Sequence, residues 1–568
     1  MHTAHLKHIS LLAILLISSF LLLSKAAFAA SPKIGINVSP PQKMTSSIPF
    51  TDIFKLSTGW VTSCDFDWQN NRPVDPGCTK KNSFNTREKE SVRLDANGWV
   101  QSLPSQQEPE IYTSVSSVWT LPSSFPTGAY VVLYDGEGTM AIRGDVAVQQ
   151  EVLGRIDFTL NSPKRNLRLH ITATDPKRNG NYIRNIRVIP KEYEFSYQSQ
   201  LINPRYAKKI GPFQVLRFMP WQQTVYQQDV SWNTRPKLTT AHYNSTDGVP
   251  LEAMLALSNQ TRSIPWFSIP HKADDNYVHN FANLVKQKLA PGQQVYIELS
   301  NEVWNMLYSA SHYANQEARL LWPRAYPKMN SGTRKILLAI NWYAKRSAET
   351  CDIFRNVFGG QKNRVVCVVS TYAGAKRFAE ELLDCPLWNK GYCGKHFDAF
   401  AVGPYFGDYM ARIENRNTVN AWVNQPDGGM NSIFKEIFQG GLIQDNFSAI
   451  GGAIDRSMQN RVKHNVALAK QYGIPLIAYE GGQHLLRVDP PHTVKDPRLL
   501  EMFMKANRDP RMKQAYRRYL QAWKQQGGGL FVHFYGIGET DSRNYFSMLE
   551  HVGQATSPKY EALLEQLR

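Results

Sequence analysis

The chain has 568 residues, 42% of them hydrophobic and 20% charged, and carries a formal net charge of +18. That length and apolar content exclude a disordered or fibrous chain and allow one large domain plus a second. The basic residues are scattered, with no Lys/Arg block and no nucleic-acid-binding signature. This favours a generally basic, solvated surface over a dedicated anionic groove, with an acidic polysaccharide as one partner such a surface can attract.

The N-terminus reads as a leader. Lys7 and His8 precede the apolar run "ISLLAILLISSFLLL", and Ala27-Phe28-Ala29 sets small residues where a signal peptidase reads. Residues 1–29 are therefore expected to be a signal peptide and the mature chain to be secreted or periplasmic. No later apolar run is long enough to span a bilayer, so no membrane contact is expected after cleavage. Cys64, Cys78, Cys351, Cys367, Cys385 and Cys393 all lie in the exported part, where disulfides persist. Cys64 with Cys78 and Cys385 with Cys393 would staple loops. Cys351 and Cys367 are left as a third pair, or Cys367 as a buried thiol in "RVVCVVS". No CxxC or His-rich spacing suggests a metal, and no cofactor is expected.

In chain order, "KIGINVS" (33–39) reads as a strand and "IPFTDIFKLSTGW" as a capped helix beginning near Thr51 or Asp52. From Cys64 to Ile189 the texture changes to short alternating runs punctuated by Gly, Asn-Gly and Pro, such as "GAYVVLYDGEGTMAI" and "RNLRLHITAT", which suggests an antiparallel sandwich. After residue 200 short β-branched or aromatic runs alternate with helix-period stretches. The candidate strands are 213–219, 264–269, 294–300, 364–370, 397–403, 474–480 and 528–535. Near-continuous apolar strands covered by helices imply a parallel sheet buried on both faces, and with "KIGINVS" the count reaches the eight of a (β/α)8 TIM barrel.

The expected fold is thus an α/β TIM barrel with an inserted antiparallel β-sandwich. Its segments are a signal peptide (1–29), a first βα unit (30–62), the inserted sandwich (63–195) and the remainder of the catalytic barrel (196–568). A separate β-domain preceding the barrel is the alternative. The stretch from Gly407 to Arg456 is a long βα connection of the kind that carries binding function.

Catalytic groups of such a barrel stand at the C-terminal strand ends. Glu302 follows the fourth strand in "QVYIELSNEVWN", and Glu480 closes the seventh in "IPLIAYEGGQH". Two carboxyl groups about 5 to 5.5 Å apart suffice for glycosidic hydrolysis with retention, one protonating the leaving oxygen and one attacking the anomeric carbon. With Asn301-Glu302 after strand four and Glu480 at strand seven, the chain resembles the clan A glycoside hydrolases.

That resemblance implies Glu302 as general acid/base and Glu480 as nucleophile. It implies Asn301 as a partner of the sugar 2-hydroxyl, although strict strand alternation aims Asn301 away from Glu302, so the strand must bend or end there. Tyr405, after strand six, matches a tyrosine that hydrogen-bonds the nucleophile.

Arg217, between Leu216 and Phe218 in a buried strand, needs an internal partner and suits a cation beside the nucleophile. His271, ending strand three, is a candidate for sugar hydroxyls. Trp304, Trp221, Trp266 and Tyr535 lie near the expected mouth and are candidate sugar platforms. The clan commonly places a tryptophan after strand eight, whereas this chain reads "FVHFYGIG", leaving His533, Phe534 or Tyr535 to substitute. Glu298, in phase with Glu302 but deeper, reads as a buried acid beneath the site, and Asp274 and Asp275 as helix-start residues. The function expected is a retaining glycoside hydrolase of an extracellular or cell-envelope polysaccharide. A transglycosidase using the same two glutamates and a non-catalytic carbohydrate-binding protein are the alternatives.

Overall fold

The computed structural model describes residues 33–67, 69–105, 107–225, 230–445, 450–485, 497–540 and 545–568. The leader expected over residues 1–29 lies outside these.

Eight parallel strands close a barrel in chain order: Ile34–Asn37, Val215–Arg217, Ile264–Ile269, Val295–Leu299, Val365–Thr371, Ala399–Val402, Leu476–Ala478 and Phe531–His533. The first strand completes the ring, pairing Gly35 with Val215 on one side and with Val532 on the other. Glycine is required there, because a Cβ on residue 35 would stand 2.8 Å from the carbonyl oxygen of Val215. Period-two alternation divides the strand side chains into two layers. Val215, Trp266, Tyr296, Val368, Ala401, Ile477, Tyr479 and Val532 fill one buried cluster inside the barrel. Leu216, Phe267, Ile297 and Val369 face the helices in the other.

Between the first and second barrel strands stand two four-stranded antiparallel sheets. One contains strands Val146–Val152, Arg155–Leu160, Gly128–Asp135 and Arg184–Pro190, and the other Val61–Ser63, Ser114–Trp119, Leu167–Thr174 and Gly138–Arg143. Because barrel strand one precedes both sheets in the chain, the sandwich is inserted into the barrel and does not precede it.

The helix expected from Thr51 or Asp52 is a single 3-10 turn, Ile53–Leu56. Its brevity has a local cause. The Asp52 carboxylate accepts from the N–H of Phe54 at 3.0 Å and from that of Val188 at 2.9 Å, so the cap is shared with the sandwich. The Ser57 hydroxyl then donates back to the Phe54 carbonyl at 2.6 Å, and Ser57 itself is extended. Trp119 of the sandwich donates its indole N–H to the Ile53 carbonyl at 2.7 Å, so this turn is a docking point between the two layers.

Cys64–Cys78, Cys351–Cys367 and Cys385–Cys393 are disulfides. The second ties the long helix Ser331–Phe358 to the fifth barrel strand, which resolves the two readings of Cys367. Asp274 caps the helix Asp275–Lys288 by accepting from the Tyr277 N–H at 2.7 Å.

The long connection after strand six carries helices Arg416–Val423 and Met430–Phe438. Buried Glu436 pins it, accepting from the Tyr409 hydroxyl at 2.7 Å and from the N–H of Leu442 at 2.9 Å. Among the described residues no helix is long and apolar enough to cross a membrane, and no cluster of His, Cys, Asp or Glu could hold a metal.

Candidate active site

The site is assembled from strand ends around one guanidinium. Val215 faces the barrel interior, so Arg217 two residues on faces it as well, with no exposed surface. Its Nε and Nη2 donate to Glu298 Oε2 at 3.1 and 2.9 Å. Nη1 donates to Asn37 Oδ1 at 3.0 Å and to Glu480 Oε2 at 3.3 Å, and Nη2 also to Asn301 Oδ1 at 2.8 Å. Burial works against the charge on Arg217, but Glu298 and Glu480 outweigh it and its pKa is raised. Glu298 is the floor of the site: besides Arg217 it accepts from the Trp266 indole at 3.0 Å and the Ser370 hydroxyl at 2.7 Å.

The fourth strand leaves the sheet abruptly. Ser300 and Glu302 both take positive φ, 58° and 47°, a region that costs a non-glycine residue of order 1–3 kcal/mol and is retained where surroundings impose it. The two reversals on either side of Asn301 break strand alternation. Asn301 and Glu302 consequently enter the same network: Asn301 reaches Arg217, and Glu302 Oε1 accepts from the Tyr479 hydroxyl at 2.8 Å. Glu302 Oε2 accepts from the Asn305 amide at 3.1 Å.

The two strand-end carboxyls thus differ in their neighbours. Glu302 is half-buried and its direct hydrogen bonds come from two neutral donors. Glu480 is 7% exposed and receives Arg217 and the Tyr405 hydroxyl, the latter at 3.0 Å. Burial raises the pKa of Glu302. Burial first, then the charge of Glu302, push Glu480 up to about 8, against the pull of Arg217 and Tyr405. With the proton on Glu302 the second of these causes vanishes, and the guanidinium favours the charge on Glu480. Ionising both strand-end carboxyls together is therefore costly. Burial also raises Tyr405 and Tyr479 well above the usual tyrosine range, so both stay hydroxyl donors.

The remaining expected residues divide. Trp304 is half-buried at the mouth, its ring 5.0 Å from that of Tyr372, which follows strand five and is 36% exposed. His271 is buried against Tyr313 at 5.4 Å, with neither ring nitrogen hydrogen-bonded among the described residues, and burial pushes it down to about 4.

Trp221 is not a platform. The short helix Met219–Gln222 turns it into the wall, where its fully buried ring packs between Phe50 and Phe218 and its N–H reaches the Ser39 carbonyl. Trp266 likewise lies inside the barrel on Glu298. Tyr535 is 3% exposed, and the aromatic after strand eight that keeps an open face is its neighbour Phe534, packed on Phe546 and Tyr405 at 5.3 and 6.4 Å.

Sequence reasoning missed Asn37, Tyr479, Asn305 and Tyr372. Two left a signal: Asn37 is an amide inside an apolar strand, and alternation from Ile477 aims Tyr479 into the barrel.

No protein-family model and no curated protein matches the sequence. Solved structures do. They include a GH51 arabinofuranosidase from Xanthomonas axonopodis pv. citri, 10% identical, covering 63% of this chain and 64% of that one, TM-score 0.34. A GH5-4 broad-specificity endoglucanase from Clostridium longisporum is 11% identical over 65% of this chain and 87% of that one, TM-score 0.36. Xylanase 10C of Cellvibrio japonicus, solved with xylopentaose, is 9% identical over 90% of this chain and 97% of that one, TM-score 0.34. The chain therefore spans just under two thirds of the arabinofuranosidase. Its barrel is defined by its own closed strand order, independently of these similarities.

Proposed function

We propose that the protein is a retaining glycoside hydrolase acting on an extracellular or cell-envelope polysaccharide, with Glu302 as general acid/base and Glu480 as nucleophile. The observation that carries this reading is the asymmetry of the two carboxyls: Arg217 contacts Glu480, while neutral hydroxyl and amide donors hold Glu302.

In the first step protonated Glu302 gives its proton to the glycosidic oxygen as that bond to the anomeric carbon breaks. Glu480 Oε attacks the same carbon, forming a glycosyl ester. In the second, Glu302, now ionised, takes a proton from water, which attacks the anomeric carbon and releases Glu480. Arg217 spends its donors on Glu298, Asn37, Asn301 and Glu480, so it holds the nucleophile charged without itself reaching the sugar. Asn301 Oδ1 is occupied by Arg217, which leaves its amide N–H groups to face a sugar hydroxyl. His271, expected to meet sugar hydroxyls, has both ring nitrogens buried in the wall, whereas the open faces of Phe534 and Trp304 suit the apolar faces of sugar rings.

The test is a screen of the purified protein on neutral and acidic polysaccharides, with the product anomer followed by NMR at early times. The reading predicts products of retained configuration, and turnover by Glu302→Ala partly restored by azide as a retained glycosyl azide. Products of inverted configuration, or full activity in Glu480→Gln, would overturn it.

A further inference from the structure

Outside strands five and six the mouth opens into a cavity of about 360 Å³, bounded by Tyr372, Tyr405 and the long connection after strand six. It adjoins residues of both acids: Tyr405 donates to Glu480, and Tyr372 packs on Trp304, two residues beyond Glu302. We propose that this cavity is the leaving-group subsite and takes a neutral, hydroxyl-rich sugar residue of the chain being cut. The assignment rests on the roles given to Glu302 and Glu480 above.

Its charges decide the class of ligand. Arg412 and Arg461 each donate to Asp408 at 2.9 Å, and Arg456 Nη1 donates to both carboxylate oxygens of Asp445 at 2.9 Å, with Glu436 behind it at 3.6 Å. With the exposed Glu414 on the rim, the three arginines among the described lining residues meet at least as many carboxylates, so these residues leave no positive excess for a sugar carboxylate or sulfate. Paired carboxylates and guanidinia set acceptors beside donors, the pattern that vicinal hydroxyls satisfy, and the Tyr372 ring supplies an apolar face.

The cavity is also preformed. Glu436 anchors the connection from beneath, the Arg456 guanidinium lies 4.3 Å from the Tyr409 ring, and Ser457 donates to the Pro404 carbonyl at 2.9 Å. The π-turn Met458–Val462 that follows brings Asn460 and Arg461 to the wall, and Arg461 fixes the Tyr405 carbonyl at 2.5 Å. A pocket held open in this way pays little ordering cost when a sugar enters. The chemistry favours the leaving-group side: the leaving group departs on the oxygen that Glu302 protonates, and Tyr372 of the cavity wall packs on Trp304, two residues beyond Glu302.

Two variants test it in the full chain: Asn460→Trp, which fills the cavity, and Arg412→Ala, which removes a donor without filling it. The first measurement is saturation-transfer NMR with neutral methyl hexosides and pentosides and with glucuronate as probes. A neutral-sugar signal weakened in Arg412→Ala and lost in Asn460→Trp is expected, and a glucuronate signal lost in both would overturn the assigned class. The second compares kcat/KM on oligosaccharides with that on the nitrophenyl glycoside of the same sugar. Asn460→Trp should cost at least tenfold more on the oligosaccharides, and an equal or smaller cost there overturns the subsite. Glu480→Gln separates the two readings. If it retains turnover, the catalytic assignment fails whatever the cavity binds; if it is inactive while Asn460→Trp changes neither measurement, the cavity assignment alone fails.

Discussion

Glu298 lies within the fourth barrel strand and Glu302 three residues beyond its end, and the two meet opposite fates. At the floor of the barrel Glu298 is sealed by two donors of Arg217, the Trp266 indole and the Ser370 hydroxyl. At the mouth Glu302 has a tyrosine hydroxyl and an asparagine amide, and part of its surface is open. The oxygens of Glu298 are taken up by a guanidinium and two further donors, and its side chain is closed to a substrate. A carboxyl held by neutral donors in a buried setting can both take and give a proton. The number and charge of the donors, rather than the residue type, separate a structural acid from a reactive one.

Breaking this contrast gives effects of graded size. Removing the charge at the mouth should do most: Glu480→Gln should lower kcat on the order of 10⁴-fold or more, with cooperative unfolding preserved. At the floor the loss should appear in stability. Glu298→Gln leaves Arg217 without its principal partner and should destabilise by about 3–5 kcal/mol in denaturant titrations, and an unchanged midpoint would show that the floor is not what holds the guanidinium.

The mouth should also reveal itself through pH. Burial raises both strand-end carboxyls, and the charge of Glu302 raises Glu480 further. In the folded chain they therefore keep one proton between them, on Glu302 in the reactive form, that the unfolded chain has already released. That contribution to stability is present at acid pH and declines as pH rises and both become charged. Glu480→Gln should therefore stabilise the protein more at pH 8 than at pH 5. Tyr405→Phe removes a donor that favours the ionised form, so the acidic limb of the activity profile should move to higher pH, with kcat/KM reduced roughly tenfold. The smallest effect is expected at Phe534. Its replacement by Ala should raise KM several-fold by removing an apolar face of about 0.5–1.5 kcal/mol and leave kcat nearly unchanged.

Much of the barrel was legible in the sequence because buried parallel strands must be apolar throughout and are separated by helices. Runs such as "IPWFSI" and "RVVCVVS" could therefore be read directly. Glu302 and Glu480 gained meaning from their strand numbers, and Arg217 from the impossibility of an unpaired cation in a core. What could not be read was direction at short range. Trp221 and Tyr535 lie within a few residues of strand ends, but a single helical turn buries the first, and the half-exposed aromatic is the residue before the second. The first helix failed for a related reason: Asp52 is a good cap, yet a sandwich strand far along the chain shares it, and the turn stops after four residues.

The central claim is that Glu480 carries the charge that attacks the sugar. The most direct measurement is mass-spectrometric peptide mapping after incubation with 2-deoxy-2-fluoro glycosyl fluorides of the sugar that the screen identifies. Such reagents form the glycosyl ester and release it slowly. The account predicts one adduct, on the peptide containing Glu480, absent in Glu480→Gln and still formed in Glu302→Gln. An adduct on Glu302, or steady hydrolysis with no adduct and inverted products, would contradict it.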